Sequence, residues 1–180
     1  MKSKIFISIN IPDKIKKRLG MAVEKWQDLP VKWVKEANLH VTLVFLGFVD
    51  EEMIPKICQK LSASLQKKES FDLEFEEINL FPSENSPRMV ALLGKDSEEL
   101  KNLVNDIEEG LEISYAPKKS FQPHITLGRI RKHKWEDLEN KPEMREKFLV
   151  NISVNSVDIM ASNFGEGGKE FAIIESCPLE

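Results

Sequence analysis

Leu39-His40-Val41-Thr42-Leu43-Val44-Phe45-Leu46-Gly47 decides the fold. From Leu39 to Leu43 apolar residues alternate with His40 and Thr42, the period-two pattern of a strand with one face on a core. Residues i and i+2 of a strand share a face, so an imidazole and a hydroxyl project side by side. The pattern recurs at His124-Ile125-Thr126-Leu127. These are the only two threonines of the chain, and each stands two residues after one of its three histidines. Two such units facing each other supply two proton-transfer groups and two hydroxyl donors. That set suits acid–base chemistry on an anion.

Reading outward, Ile5 to Ile9 forms a first strand stopped by Pro12. A helix from Asp13, placed to cap it, to about Trp26 carries Ile15, Leu19, Ala22, Val23 and Trp26 at helical spacing. Val31 to Val34 is a short strand, and Leu39 to Leu46 is a longer one ended by Gly47. A second helix spans about Glu51 to Gln66, with Pro55 tolerated in its first turn. Strands at Phe71 to Ile78 and Met89 to Leu93 flank the turn-rich Phe81 to Pro87. Asp96 or Ser97 caps a third helix, for which Gly110 is the expected C-cap. His124 to Ile130 is the second motif strand, followed by a helix from Trp135 to about Phe148. Val150 to Met160 and Glu170 to Ile174 close the chain around Gly165-Glu166-Gly167-Gly168. The order predicts an α+β fold, with two pseudo-symmetric lobes of antiparallel sheet, outer helices and the active-site cleft between them. Residues 1–180 read as one domain whose two lobes each carry one H-x-T motif.

With 26 basic and 30 acidic residues the formal charge is −4, so a global basic field for duplex nucleic acid is absent. The hydrophobic content of 41% rules out general disorder. Cys58 and Cys177 lack C-x-x-C spacing and read as reduced thiols. No secretory signal pattern and no bilayer-length apolar stretch is present, so the expectation is a cytoplasmic protein without a membrane partner. No P-loop offers ATP a site and no ligand-spaced cluster offers a metal one, so neither ATP nor a metal or other cofactor is expected. The absence of a heptad or long apolar surface points to a monomer.

The stretch from Trp33 to Gly47 resembles the first signature of the bacterial and archaeal RNA 2′,3′-cyclic phosphodiesterases. These were historically called 2′-5′ RNA ligases and belong to the two-histidine (2H) phosphoesterase superfamily. His124-Ile125-Thr126-Leu127-Gly128-Arg129 resembles the second signature. Phe81-Pro82 with Pro87-Arg88-Met89-Val90 resembles the middle segment, and Ile5-Phe6-Ile7-Ser8-Ile9 the opening strand. Two positions depart from the pattern: Phe48 stands where an acid is common, and Phe171 where a tyrosine is expected. The resemblance implies hydrolysis of RNA 2′,3′-cyclic phosphate ends to 2′-phosphates, with reversal as a 2′-5′ ligase. It also adds weight to Arg129 as a phosphate or nucleotide contact.

His40 and His124 are jointly the candidate acid–base pair, and Thr42 and Thr126 the candidate donors to the non-bridging phosphate oxygens. Strict alternation sets Arg129 on the face opposite His124, so it reaches the phosphate only across a twist or bulge. Lys118, Lys119, Arg131, Lys132 and Lys134 form either an RNA-steering patch or, more commonly for such runs, a solvated face. His133 reads as a surface residue; Phe81 and Trp33 are candidates to stack on a base, with core packing the commoner role for Phe81 and Trp33 left open, as is Arg88. Alternative substrates are small cyclic nucleotides or ADP-ribose cyclic phosphate, and the alternative class is a non-catalytic RNA-end binding module.

Overall fold

The computed structural model describes residues 1–113 and 121–180, which leaves Lys118 and Lys119 outside the described residues. Strands β1 (Lys2–Asn10), β2 (Val31–Trp33), β3 (His40–Asp50), β4 (Phe71–Phe81) and β5 (Met89–Gly94) precede β6 (His124–Ile130). Then follow β7 (Glu146–Val154), β8 (Ser156–Gly165) and β9 (Gly168–Pro178). Helices α1 (Asp13–Ala22), α2 (Ile54–Ser64), α3 (Glu98–Gly110) and the short α4 (Lys132–Glu136) lie between them. The strands form two antiparallel sheets, ordered β3-β1-β8-β9 and β2-β6-β5-β4-β7. The α+β architecture with two antiparallel lobes is the one the sequence predicts, and each motif strand belongs to a different sheet.

The lobes are not the two halves of the chain. β1 and β3 pair into a sheet completed by the C-terminal β8 and β9, while β2 crosses to lie beside β6. Helices cross over too. Arg18 of α1 stacks its guanidinium 4.8 Å from the Phe148 ring of β7, whereas α3 touches β3 and α2 touches β9. Gly110 permits the close approach of α3 to α2, because a Cβ there would lie 1.7 Å from Ser64 Oγ.

Several boundaries differ from the sequence expectation for identifiable reasons. α1 stops at Ala22 and a 3₁₀ turn, Glu24–Trp26, follows it. Asp13 is its first helical residue and Pro12 occupies the cap position. A 3₁₀ turn, Glu51–Met53, likewise precedes α2. Ser97 is the cap of α3, its Oγ accepting from the Leu100 N–H at 3.1 Å. Gly110 is helical, not a cap, and Glu112 takes the left-handed position at φ 57°. β3 does not end at Gly47: Leu46 bulges, Gly47 adopts φ 74°, and pairing resumes to Asp50.

The helix expected from Trp135 to Phe148 is only α4, which ends at Glu136. Pro142 lacks an N–H and disfavours helix at the residue before it, and the chain re-enters a sheet at Glu146. The single strand expected from Val150 to Met160 is two. Phe148, Ile152 and Val154 are buried at even positions, then Val157, Ile159 and Ala161 at odd ones. That change of phase at Asn155 moves the chain from one sheet to the other.

Candidate active site

The two motif strands, β3 and β6, lie against each other where the sheets meet. Each histidine is held the same way. His40 Nδ1–H donates to the Asn38 carbonyl at 2.7 Å, and His124 Nδ1–H donates to the Gln122 carbonyl at 2.9 Å. A carbonyl can only accept, so Nδ1 carries the proton and Nε2 is the nitrogen left for chemistry in both neutral rings. At His40 this Nε2 accepts from Thr42 Oγ1–H at 2.7 Å. Thr126 Oγ1–H donates instead to the Met89 sulfur at 3.3 Å.

Aromatic rings set the surroundings of each imidazole. Phe6 and Phe171 pack on His40, with centroids 5.0 and 5.2 Å away, the second edge-on. Phe81 stacks on His124 at 4.9 Å, with 20° between the rings. Burial pushes the pKa of His40 below its ordinary 6.5; the Asn38 carbonyl opposes this, and Lys16, Arg129 and His124 reinforce it. The two histidines and Arg129 therefore share one electrostatic environment.

Arg129 reaches that environment through a bulge. Across β5 and β6, Thr126 pairs with Ala91 but Gly128 pairs with Val90, leaving Leu127 unpaired. The extra residue flips the alternation, so Arg129, opposite Met89, shares the face of Thr126 and His124. The first motif does the same: Thr42 pairs with Ser8 and Val44 with Ile7, leaving Leu43 as the bulge. Under the pseudo-two-fold, His40, Thr42 and Phe45 correspond to His124, Thr126 and Arg129.

The structure thus brings together all five sequence-predicted site residues, Arg129 included. Phe81, read from sequence as core, is half-buried against His124. Trp33 pairs with Gly128 and packs against it on the side away from Arg129. Arg88 contributes its backbone, N–H to the Phe81 carbonyl and carbonyl to the Ile130 N–H, while its side chain is exposed. His133 is a surface residue, as expected. Sequence reasoning missed Phe6, Met89 and Lys16, because contacts across strands and sheets leave no local pattern.

Cys58 and Cys177 are free thiols, and burial with the Glu175 carboxylate pushes Cys58 up to about 12. Among the described residues no group of three or more His, Cys, Asp or Glu is placed to hold a metal. No described helix is long and apolar enough to cross a membrane. A cavity of about 360 Å³ lies between β3, α2 and the residues that follow α3, and includes Leu46, Met53, Ile57 and Leu111 in its lining.

Two facing antiparallel sheets, each presenting one histidine–threonine pair, define the fold of a two-histidine phosphoesterase. Solved structures share it: E. coli LigT complexed with 3′-AMP superposes with a TM-score of 0.79 at 23% identity, covering 99% of each chain. A Thermus thermophilus protein, TT0787, gives 0.76 at 22% identity over 98% of this chain and 97% of its own. The chain belongs to the 2′-5′ RNA ligase superfamily, whose family model matches residues 11–164. An RNA 2′,3′-cyclic phosphodiesterase of Thermotoga maritima is 28% identical, covering 97% of this chain and 95% of that protein. One from Archaeoglobus fulgidus is 32% identical, covering 72% and 73%.

Proposed function

We propose that this protein hydrolyses the 2′,3′-cyclic phosphate at RNA ends to a 2′-phosphate, with His40 as base and His124 as acid. The observation that supports it most is the matched pair of Nδ1–H bonds to Asn38 and Gln122. These fix both rings in one tautomer with Nε2 available on the cleft side of each motif strand. The names of relatives, one matched over nearly the whole chain and one over 72% of it, support the substrate class.

His40 is the better base because burial and neighbouring cations keep it neutral at pH 7. On binding, the Thr42 hydroxyl turns from His40 Nε2 to a non-bridging oxygen and frees the lone pair. The Thr126 hydroxyl exchanges the Met89 sulfur for the same phosphate. Both donors meet charge as it concentrates in the transition state, and Arg129 neutralises it. Water loses its proton to His40 Nε2 and its oxygen bonds phosphorus. The P–O3′ bond breaks, and His124, which enters this step as the imidazolium with both ring nitrogens protonated, gives its Nε2 proton to the departing 3′-oxygen. Run in the same direction with a 5′-hydroxyl in the place of water, the same pair joins RNA through a 2′-5′ link. The energy is that of the strained ring, so no ATP is used, and in this scheme the histidine pair carries the proton transfers and Arg129 the charge without a metal.

The test is turnover of an oligoribonucleotide ending in a 2′,3′-cyclic phosphate, with EDTA present and the product read by phosphorus NMR. Formation of a 2′-phosphate by the wild type, lowered at least about a hundredfold in His40→Ala and His124→Ala, is the expected result. A cyclic substrate with sulfur replacing the 3′-oxygen leaves without a proton, and should rescue His124→Ala but not His40→Ala. Binding of the RNA end without turnover would instead make the protein a recognition module.

A further inference from the structure

The sheet that carries His40 continues well past the histidine, and its cleft face is unusually aromatic. Register gives the composition of that face. Thr42 pairs with Ser8, Phe45 with Phe6 and, after the Leu46 bulge, Phe48 with Lys4. Across β1 and β8, Phe6 pairs with Met160 and Lys4 with Ser162. Across β8 and β9, Met160 pairs with Ile173, Ser162 with Phe171 and Phe164 with Lys169. Cross-strand partners share a face, so Phe45, Phe48, Phe164, Phe171 and Ile173 lie on the surface that bears His40.

All three exposed phenylalanines among the described residues are in this set: Phe45 is 56% exposed, Phe48 72% and Phe164 84%. Ile173 beside them is 54% exposed. Lone exposed apolar residues need no explanation, but rings gathered on one face do. The cations are gathered with them. Lys4 and Lys169 stand among the rings, and Lys32 pairs with Arg129 on the facing sheet. The ammonium of Lys169 is lowered in pKa by burial first, then by Lys4, Arg129 and Lys32, so these four charges converge. Lys35 Nζ lies against the turn at Gly167, 2.8 Å from where a Cβ would be. Asp50, paired with Lys2, ends the basic stretch.

From the His40 row to the Phe48 row the pairing advances six residues of β1, about 20 Å at the rise of a strand. Rings that accept any base by its π-face, interleaved with cations for phosphates, form a surface suited to single-stranded nucleic acid.

We propose that this face is a platform for the single-stranded RNA preceding the cyclic phosphate, with bases stacking on Phe45, Phe48 and Phe164 and phosphates meeting Lys4 and Lys169. The inference rests on the cyclic-phosphodiesterase reading for which end of the RNA enters the cleft. It makes the protein selective for oligonucleotides over free cyclic nucleotides, because a mononucleotide fills the histidine site and leaves the platform empty.

The experiment compares kcat/KM for a hexanucleotide ending in a 2′,3′-cyclic phosphate with that for a cyclic mononucleotide. Wild type runs beside the double variant Phe48→Ala/Phe164→Ala and the ring-preserving Phe48→Trp. A large ratio in favour of the hexanucleotide is expected, reduced about tenfold or more in the double variant and kept in Phe48→Trp. In parallel, fluorescence anisotropy follows a labelled hexanucleotide with an ordinary 3′-hydroxyl, competed by single-stranded or duplex RNA. The double variant should bind it about tenfold more weakly, and duplex should compete poorly. Equal kcat/KM for both substrates would overturn the platform and leave the cyclic-phosphate chemistry standing. No turnover of either would overturn the chemistry, and the anisotropy would then decide the platform alone. Unchanged binding in the variant, or a sedimenting dimer that the variant dissolves, would overturn the platform in favour of a protein contact.

Discussion

Burial acts on His40 more strongly than any single charge near it, and that order dictates how the site responds to pH. The rings of Phe6 and Phe171 exclude water from the imidazole, while Lys16 acts only by its field. Since the folded pKa lies below 6.5, kcat/KM should fall on the acid side only below that value. Phe171→Ala admits water to the ring and should move this limb to higher pH. Lys16→Gln should move it the same way but by less. A limb that moves to lower pH in either variant would remove His40 from the role of base. Stability follows the same linkage. Between the folded and unfolded pKa values the unfolded chain binds more protons, so stability is lost as pH falls from 6.5 through the folded value. His40→Gln should flatten that part of a urea-midpoint profile against pH.

At the scale of elements, the bulges at Leu43 and Leu127 convert a sequence motif into a site. The motif strands were legible because apolar and polar residues alternate through His40 and His124. Arg129 was ambiguous because a single unpaired residue inverts every later side chain, and the only mark of the inversion in that strand is the adjacent Gly128. The same limit hid the division between β7 and β8, which is only a phase change at Asn155. Helix α3 was legible in its stripe, its Ser97 cap and its end at Gly110, but that glycine is the last helical residue at a helix contact, where the sequence suggested a cap. Gly110→Ala separates those meanings. Helix propensity alone would favour alanine by about 1 kcal/mol. The added methyl would lie 1.7 Å from Ser64 Oγ and 2.9 Å from its Cβ, so rotating the hydroxyl away does not relieve the overlap. Overpacking of about 1–3 kcal/mol should win, lowering the urea midpoint, and adding Ser64→Gly should recover most of the loss.

Over the whole molecule, charge is arranged against its own sum. The chain carries −4, yet Lys4, Lys16, Lys32, Lys169 and Arg129 act on one another or on His40 at the cleft. This arrangement was not legible in sequence, because β1, α1, β2, β6 and β9 bring these residues from five separate stretches. The local run at Arg131, Lys132 and Lys134 drew attention in their place. Which field an RNA end meets is decided by distance. Charges more than about 10 Å from it are screened in 0.1 M salt, so the acidic outer surface is muted while the cleft cations are not. Salt should therefore slow hydrolysis of an oligonucleotide, as for a basic protein, with log kcat/KM falling linearly against log salt. Each phosphate contact on a single strand contributes about −0.7 to that slope. Lys169→Gln should flatten the slope by about that amount. Lys101→Gln, on α3 beside Asp96 and Glu98, should leave it unchanged. A rate that rises with salt in the wild type would mean that the net negative charge governs encounter, and that the cleft cations serve only the phosphate already bound.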